Sequence, residues 1–226
     1  MLRKLQAALI AALAVGAATQ AYAAPSPFAG RWLFLSDLEE TLDTGLAGMI
    51  MNVSSSGKVS LQAMGFTSKG PKTVSMASGR IAPDGSMFLR YRGQRYEEAF
   101  SCYLDGDVLY ALSMDGEEYA LERIAGFGLR GNYQGQFWVE GFGPFVAKAT
   151  ISASGDVTLR VRGANGREQV SKGWVTAPGA LVLMNRSGFD FGLVYPGSGY
   201  LYVEGASMLV DGSELLWQAV FTPTRR

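Results

Sequence analysis

The 226-residue chain has no histidine, a single cysteine (Cys102), and no long apolar run after its first two dozen residues. Each absence removes a class of function. Without histidine there is no Ser-His-Asp triad, no Cys-His pair, no H-E-x-x-H zinc site, no imidazole acid or base and no histidine haem ligand. One cysteine excludes an internal disulfide and a cysteine-rich metal centre. A membrane-spanning helix needs about 20 apolar residues, and no stretch beyond the N-terminal segment supplies them. Charge is scarce too. Outside residues 1–23, 18 Lys+Arg face 20 Asp+Glu, a net of −2. So small a charge gives no electrostatic case for binding nucleic acid or an anionic membrane. An enzyme is the least expected class, and no cofactor or metal is expected.

What is present begins with an address. Arg3 and Lys4 precede the apolar run 5–18, and Ala21-Tyr22-Ala23 supplies a small-x-small cleavage pattern. This is the pattern of a signal peptide over residues 1–23, with export to the periplasm or the medium as the expectation. The full chain is 48% hydrophobic, and the part beyond residue 23 is large enough to bury a core without staples.

After residue 24 the chain repeats short apolar runs punctuated by Gly, Asp-Gly, Asn-Gly and Pro, the pattern of β-hairpins. Candidate strands are 31–35, 49–53, 59–63, 87–91, 100–104, 108–112 and 119–124 in the first half. In the second they are 133–139, 146–151, 157–162, 180–184, 189–195, 200–203 and 215–221. Residues 36–43 are the one stretch expected to form a helical turn. The halves also match each other. Ser56-Gly57-Lys58-Val59-Ser60-Leu61 aligns with Ser154-Gly155-Asp156-Val157-Thr158-Leu159, and Gly85-Ser86-Met87-Phe88-Leu89 with Gly179-Ala180-Leu181-Val182-Leu183. Gly30-Arg31-Trp32 answers to Gly131-Asn132-Tyr133. The expectation is an all-β, antiparallel, up-and-down barrel-like protein of two sequence-related halves, 24–125 and 126–226, forming two small barrels or one larger one. The short junction 125–130 implies that the halves touch.

Phe28-Ala29-Gly30-Arg31-Trp32 is similar to the F-x-G-x-W opening of bacterial lipocalin-like domains. The segment from Leu104-Asp105-Gly106-Asp107 to Glu122-Arg123 resembles the terminal hairpin and final Arg of that group. The resemblance implies strands curled around a hydrophobic interior, in a family where small apolar ligands recur. The second half opens with Tyr133 in place of Trp and shares less of the closing hairpin.

Several motifs carry a chemical reading beside a plainer one. Gly126-Phe127-Gly128-Leu129-Arg130-Gly131 is a literal G-x-G-x-x-G, but a strand rather than a helix follows, so an inter-repeat turn is expected. Ser55-Ser56-Gly57-Lys58 fits S-x-x-K, yet it spans a hairpin turn and its repeat carries Asp156 in place of the lysine. Asp37, Glu39, Glu40 and Asp43 lack the punctuation of a calcium loop. Glu117 and Glu118 point to opposite faces of a strand, which disfavours a glycosidase pair. Met49 and Met51 are expected to fill a core rather than hold Cu(I), and Cys102 to be a buried thiol. The aromatics near Gly-rich turns, Phe142, Trp174, Tyr195 and Tyr200, are the candidate ligand-binding residues.

The sequence therefore points to an exported, non-enzymatic barrel-like protein that binds a small apolar or aromatic ligand. One alternative is an interaction scaffold with a filled core, its protein partner unidentified. Another is a small outer-membrane barrel. The candidate strands are shorter than the roughly 9–11 residues such a barrel needs, and the chain lacks a terminal aromatic.

Overall fold

The computed structural model describes residues 24–36, 46–67, 70–126, 128–140 and 142–224. Residues 1–23 and most of the 36–43 segment therefore lie outside the described residues. Within these residues there is no helix, and sixteen strands form two closed antiparallel barrels. The first barrel comprises β1 (Gly30–Leu35), β2 (Leu46–Val53), β3 (Lys58–Thr67), β4 (Gly70–Ile81), β5 (Ser86–Tyr91), β6 (Glu98–Asp105), β7 (Val108–Ser113) and β8 (Glu118–Arg123). The second comprises β9 (Gly131–Val139), β10 (Phe142–Ile151), β11 (Asp156–Arg162), β12 (Glu168–Val175), β13 (Ala180–Met184), β14 (Gly188–Gly197), β15 (Tyr200–Leu209) and β16 (Glu214–Pro223). Each half thus closes on itself, and the alternative of one larger barrel falls away.

Alternation along the strands sorts side chains between an apolar inside and a polar outside. On β11, Val157 and Leu159 are buried while Arg160 and Arg162 are exposed. Several strands, among them β3, β4 and β14, reach 10–12 residues, longer than the apolar runs suggested. Length alone therefore does not separate this fold from an outer-membrane barrel. Each barrel here buries an apolar core, whereas outer-membrane barrels have a polar interior.

The repeat holds at the level of single hydrogen bonds. The Trp32 indole Nε1 donates to the Phe28 carbonyl at 3.0 Å, and the Tyr133 hydroxyl donates to the Leu129 carbonyl at 2.7 Å, four residues back in each case. In the β2–β3 turn, Lys58 N donates to Ser54 Oγ at 3.0 Å, and in the β10–β11 turn Asp156 N donates to Ser152 Oγ at 3.0 Å. Both turns need a left-handed residue, supplied by Gly57 (φ 78°) and Gly155 (φ 79°).

Each barrel has its own core, and a third cluster joins them. Leu33, Ile50 and Met64 on the outside of the first barrel pack with Val182 and Phe189 on the outside of the second. Phe66 meets Phe189 edge to face, with ring centroids 4.9 Å apart. Around this seam, Thr176 Oγ1 donates to Glu122 Oε2 at 2.6 Å, and Ala177 N donates to the Arg123 carbonyl at 2.8 Å. Asp156, which replaces the lysine of the S-x-x-K motif in the second repeat, forms an ion pair with Arg31 at 2.9 Å.

Trp32 is 0% exposed and Tyr133 7% exposed. Trp32→Ala and Tyr133→Ala should therefore each lower stability by about 3–5 kcal/mol in denaturant titrations. Tyr133→Phe, which leaves the Leu129 carbonyl without its donor, should cost about 1–3 kcal/mol. A silent result for one of the two alanine variants would contradict the equivalence of the two openings.

Candidate functional site

The open end of the second barrel gathers polar groups that the rest of its interior excludes. On β14, Asp190 pairs with Leu183 of β13 on one side and with Ser207 of β15 on the other. Leu183 is fully buried in the core, so Asp190 and Ser207 share its inward face. Ser207 Oγ donates to Asp190 Oδ1 at 2.6 Å. The other carboxylate oxygen, Oδ2, accepts from Ser171 Oγ of β12 at 3.3 Å and from Asn185 Nδ2 at 3.1 Å. Asn185, in the β13–β14 turn, is held by its own contacts: Oδ1 accepts from Ser187 N at 2.7 Å, and Nδ2 also donates to Ser171 Oγ at 3.1 Å.

These residues line a cavity of about 460 Å³. Its apolar wall includes Phe137, Val139, Phe145, Leu159 and Val161, and its rim carries Arg167 and Glu168. Glu168 is engaged from outside by Arg160 at 2.7 Å. Burial raises the Asp190 carboxyl above its ordinary range, outweighing the lowering effect of its bonds from Ser207, Ser171 and Asn185. None of the four ion pairs among the described residues includes Asp190. An apolar chamber with one recessed acidic group can seat a small molecule and fix its orientation.

A second, larger hollow of about 1060 Å³ lies outside the second barrel, where Leu35 of the first barrel faces Trp138, Phe142, Phe191, Leu193 and Leu216. Its floor is a thin place in the barrel wall. Gly192 and Gly205 face each other across β14 and β15, and the indole of Trp217 covers them from inside. The buried Trp217 Nε1 has no hydrogen-bond partner among the described residues.

The four aromatics singled out in the sequence are not brought together. Phe142, 72% exposed, lines the outer hollow. Trp174 packs against the cluster between the barrels, with the Arg31 guanidinium 5.9 Å from its ring centroid. Tyr195 lies on the outer face, where its hydroxyl donates to Glu204 Oε1 at 3.1 Å. Tyr200 is exposed, with its ring against the backbone of Gly197 in the β14–β15 turn. The residues that line the inner chamber are not among those four, although the sequence carries one signal for them. Asp190 interrupts the apolar stretch from Phe189 to Val194 at the same strand parity as Val194, a core position.

The remaining motifs take structural places. The S-x-x-K segment forms the β2–β3 turn, and Leu129 N donates to the Gly126 carbonyl at 3.0 Å where the G-x-G-x-x-G segment leads into β9. Met49 and Met51 pack in the first barrel's core. No group of three or more His, Cys, Asp or Glu that could hold a metal ion occurs among the described residues, and the acidic cluster 37–43 lies outside them.

Searches for related proteins add little. No family model and no curated protein matches the chain. A solved structure with some similarity is a protein of unknown function from the DUF3598 family of Nostoc punctiforme PCC 73102. It shares 9% identity, the match covers 87% of this chain and 96% of that one, and the TM-score is 0.28.

Cys102 is a free, buried thiol in the first barrel's core. Burial pushes its pKa from 9.0 up to about 12, so the folded protein keeps the proton where the unfolded chain releases it. Stability linked to this thiol is fully present below pH 9 and should be lost as pH climbs from about 9 to about 12. Cys102→Ala should flatten that part of the stability profile and cost about 1 kcal/mol or somewhat more at neutral pH. Labelling of native wild-type protein at pH 8 should require unfolding. Rapid labelling would contradict the buried thiol.

Proposed function

We propose that this is an exported, non-enzymatic barrel protein that holds a small apolar or aromatic molecule in the open end of its second barrel. One observation carries the reading: a cavity of about 460 Å³ inside that barrel, walled by aromatic and aliphatic side chains and reached from one end. The N-terminal signal pattern supports export, and the lipocalin-like opening of the first half fits a protein that carries small ligands. The absence of histidine, together with serines turned toward Asp190, supports holding a ligand over transforming it.

An interaction scaffold is the second reading, favoured by the outer hollow and the exposed ring of Phe142 beside it. The two readings separate in one experiment. The neutral fluorophore N-phenyl-1-naphthylamine should brighten on binding the wild-type protein. Val161→Trp, which fills the inner chamber from its wall, should weaken that binding by about tenfold or more with little change in melting temperature. Unchanged binding in Val161→Trp, with loss in Phe142→Ala, would move the site to the outer hollow and overturn the proposed chamber.

A further inference from the structure

Superposing the two repeats by their hydrogen-bond ladders shows what opened the second barrel. In the first, Cys102 N donates to the Gly85 carbonyl; in the second, Val194 N donates to the Gly179 carbonyl, both at 2.9 Å. On that register Leu89 corresponds to Leu183, and the residues opposite them are Glu98 and Asp190. Both barrels therefore turn an acidic side chain inward at the same rung. What meets the acid differs. Two residues beyond Leu89 stands Tyr91; two beyond Leu183 stands Asn185. In the first barrel burial, followed by the charge and hydrogen bond of Glu98, raises the Tyr91 phenol, so the acid is met by a large ring. In the second, a small amide occupies that place.

The same exchange recurs elsewhere in the barrel interior. Following the ladders from Cys102 through Ala111 to Tyr119, and from Val194 through Val203 to Ala219, sets Ala219 where the first barrel has Tyr119. The paired openings likewise set Gly135 against Phe34. Phe34 and Tyr119 meet edge to face at 5.9 Å within the first barrel. The stacked Phe137 and Trp217 refill part of the lost volume in the second barrel, and the 460 Å³ chamber beside Asp190 remains.

Resting on the reading that this chamber binds a ligand, we propose that the ligand is a primary amine with an apolar body, its ammonium group held by Asp190. Three neutral donors satisfy the carboxylate's geometry without cancelling its charge, and an isolated charge is costly to hold away from water. An asparagine or threonine could tie β12, β14 and β15 together without that cost. A carboxylate kept in an apolar chamber, with no cation among the described residues paired to it, suits a partner that brings the positive charge. A charge-assisted N–H···O bond there is about twice as strong as a neutral one. The apolar body would then lie against Phe137, Val139 and Phe145, and Ser171, Ser207 and Asn185 would hold the carboxylate in place.

The test is displacement of N-phenyl-1-naphthylamine at pH 7 by three chains of equal length: octylammonium, octan-1-ol and octanoate. Wild-type protein should bind octylammonium about tenfold or more tightly than octan-1-ol, with octanoate weakest. Asp190→Asn should bring octylammonium down to the level of octan-1-ol and leave octan-1-ol unchanged. Asn185→Tyr, which restores the first barrel's ring, should weaken all three. If octan-1-ol binds but octylammonium gains nothing, or if Arg167 at the rim makes octanoate the tightest, the amine proposal is overturned while the ligand-binding reading stands. If none of the three displaces the fluorophore, the ligand-binding reading falls with it. The wild-type ranking decides the matter even if Asp190→Asn fails to fold.

Discussion

Closure governs this molecule. An antiparallel sheet of eight strands leaves two unpaired edges unless its ends meet, and here both sheets end by pairing first strand with last. In the second barrel the closing ladder runs from Trp217 opposite Val139 to Pro223 opposite Tyr133. In the first it is shorter, centred on Trp32 opposite Arg123 and Leu33 opposite Glu122. Arg123 reinforces that short seam. Its guanidinium carbon lies 4.2 Å from the Trp32 ring centroid, Nη1 donates to the Ala29 carbonyl, and Nε is 3.2 Å from Asp107 Oδ1. Gly30, two residues before Trp32, adopts φ 150°, a backbone conformation that L side chains rarely adopt, which favours glycine at the start of this seam. The carbonyl of Arg123 accepts from Ala177 of the second barrel, which ties closure of one barrel to docking of the other.

Once both sheets close, their interiors are free to diverge. The first keeps large rings, Phe34, Tyr91 and Tyr119, packed against its core. The second carries Gly135, Asn185 and Ala219 at the corresponding rungs and moves aromatic bulk to Phe137 and Trp217. The second barrel holds a chamber of about 460 Å³, and the apolar seam around Phe189 joins the two barrels. The seam draws on outward positions of both sheets, so docking does not consume either interior.

The two-repeat, all-β architecture was legible because turn chemistry and alternation speak locally. Gly57 and Gly155, and the serines before them, mark equivalent turns in the sequence and in the hydrogen bonds. Two strands, β4 and β12, lie wholly outside the apolar runs of the sequence, and they occupy corresponding places. Both are interrupted by Ser, Lys and Gly, and β4 is further obscured by a bulge against β3 between Leu61 and Gln62. Their pairing comes from neighbours on both sides rather than from apolar alternation. The site was illegible for a related reason. Aromatics beside glycine turns stand out in a sequence, whereas the acidic group in the chamber stands out only once strand parity places Asp190 inward beside Ser207 and Ser171.

Amide hydrogen exchange on the native protein tests the closure of both barrels most directly. Closure predicts that amides along the β1–β8 and β9–β16 seams exchange as slowly as those of the interior ladders β2–β3 and β10–β11, all opening only with global unfolding. Exchange in β8 or β16 far faster than in β3 or β11, at the rate of frayed edges, would show that the sheets are open and would contradict the two-barrel account.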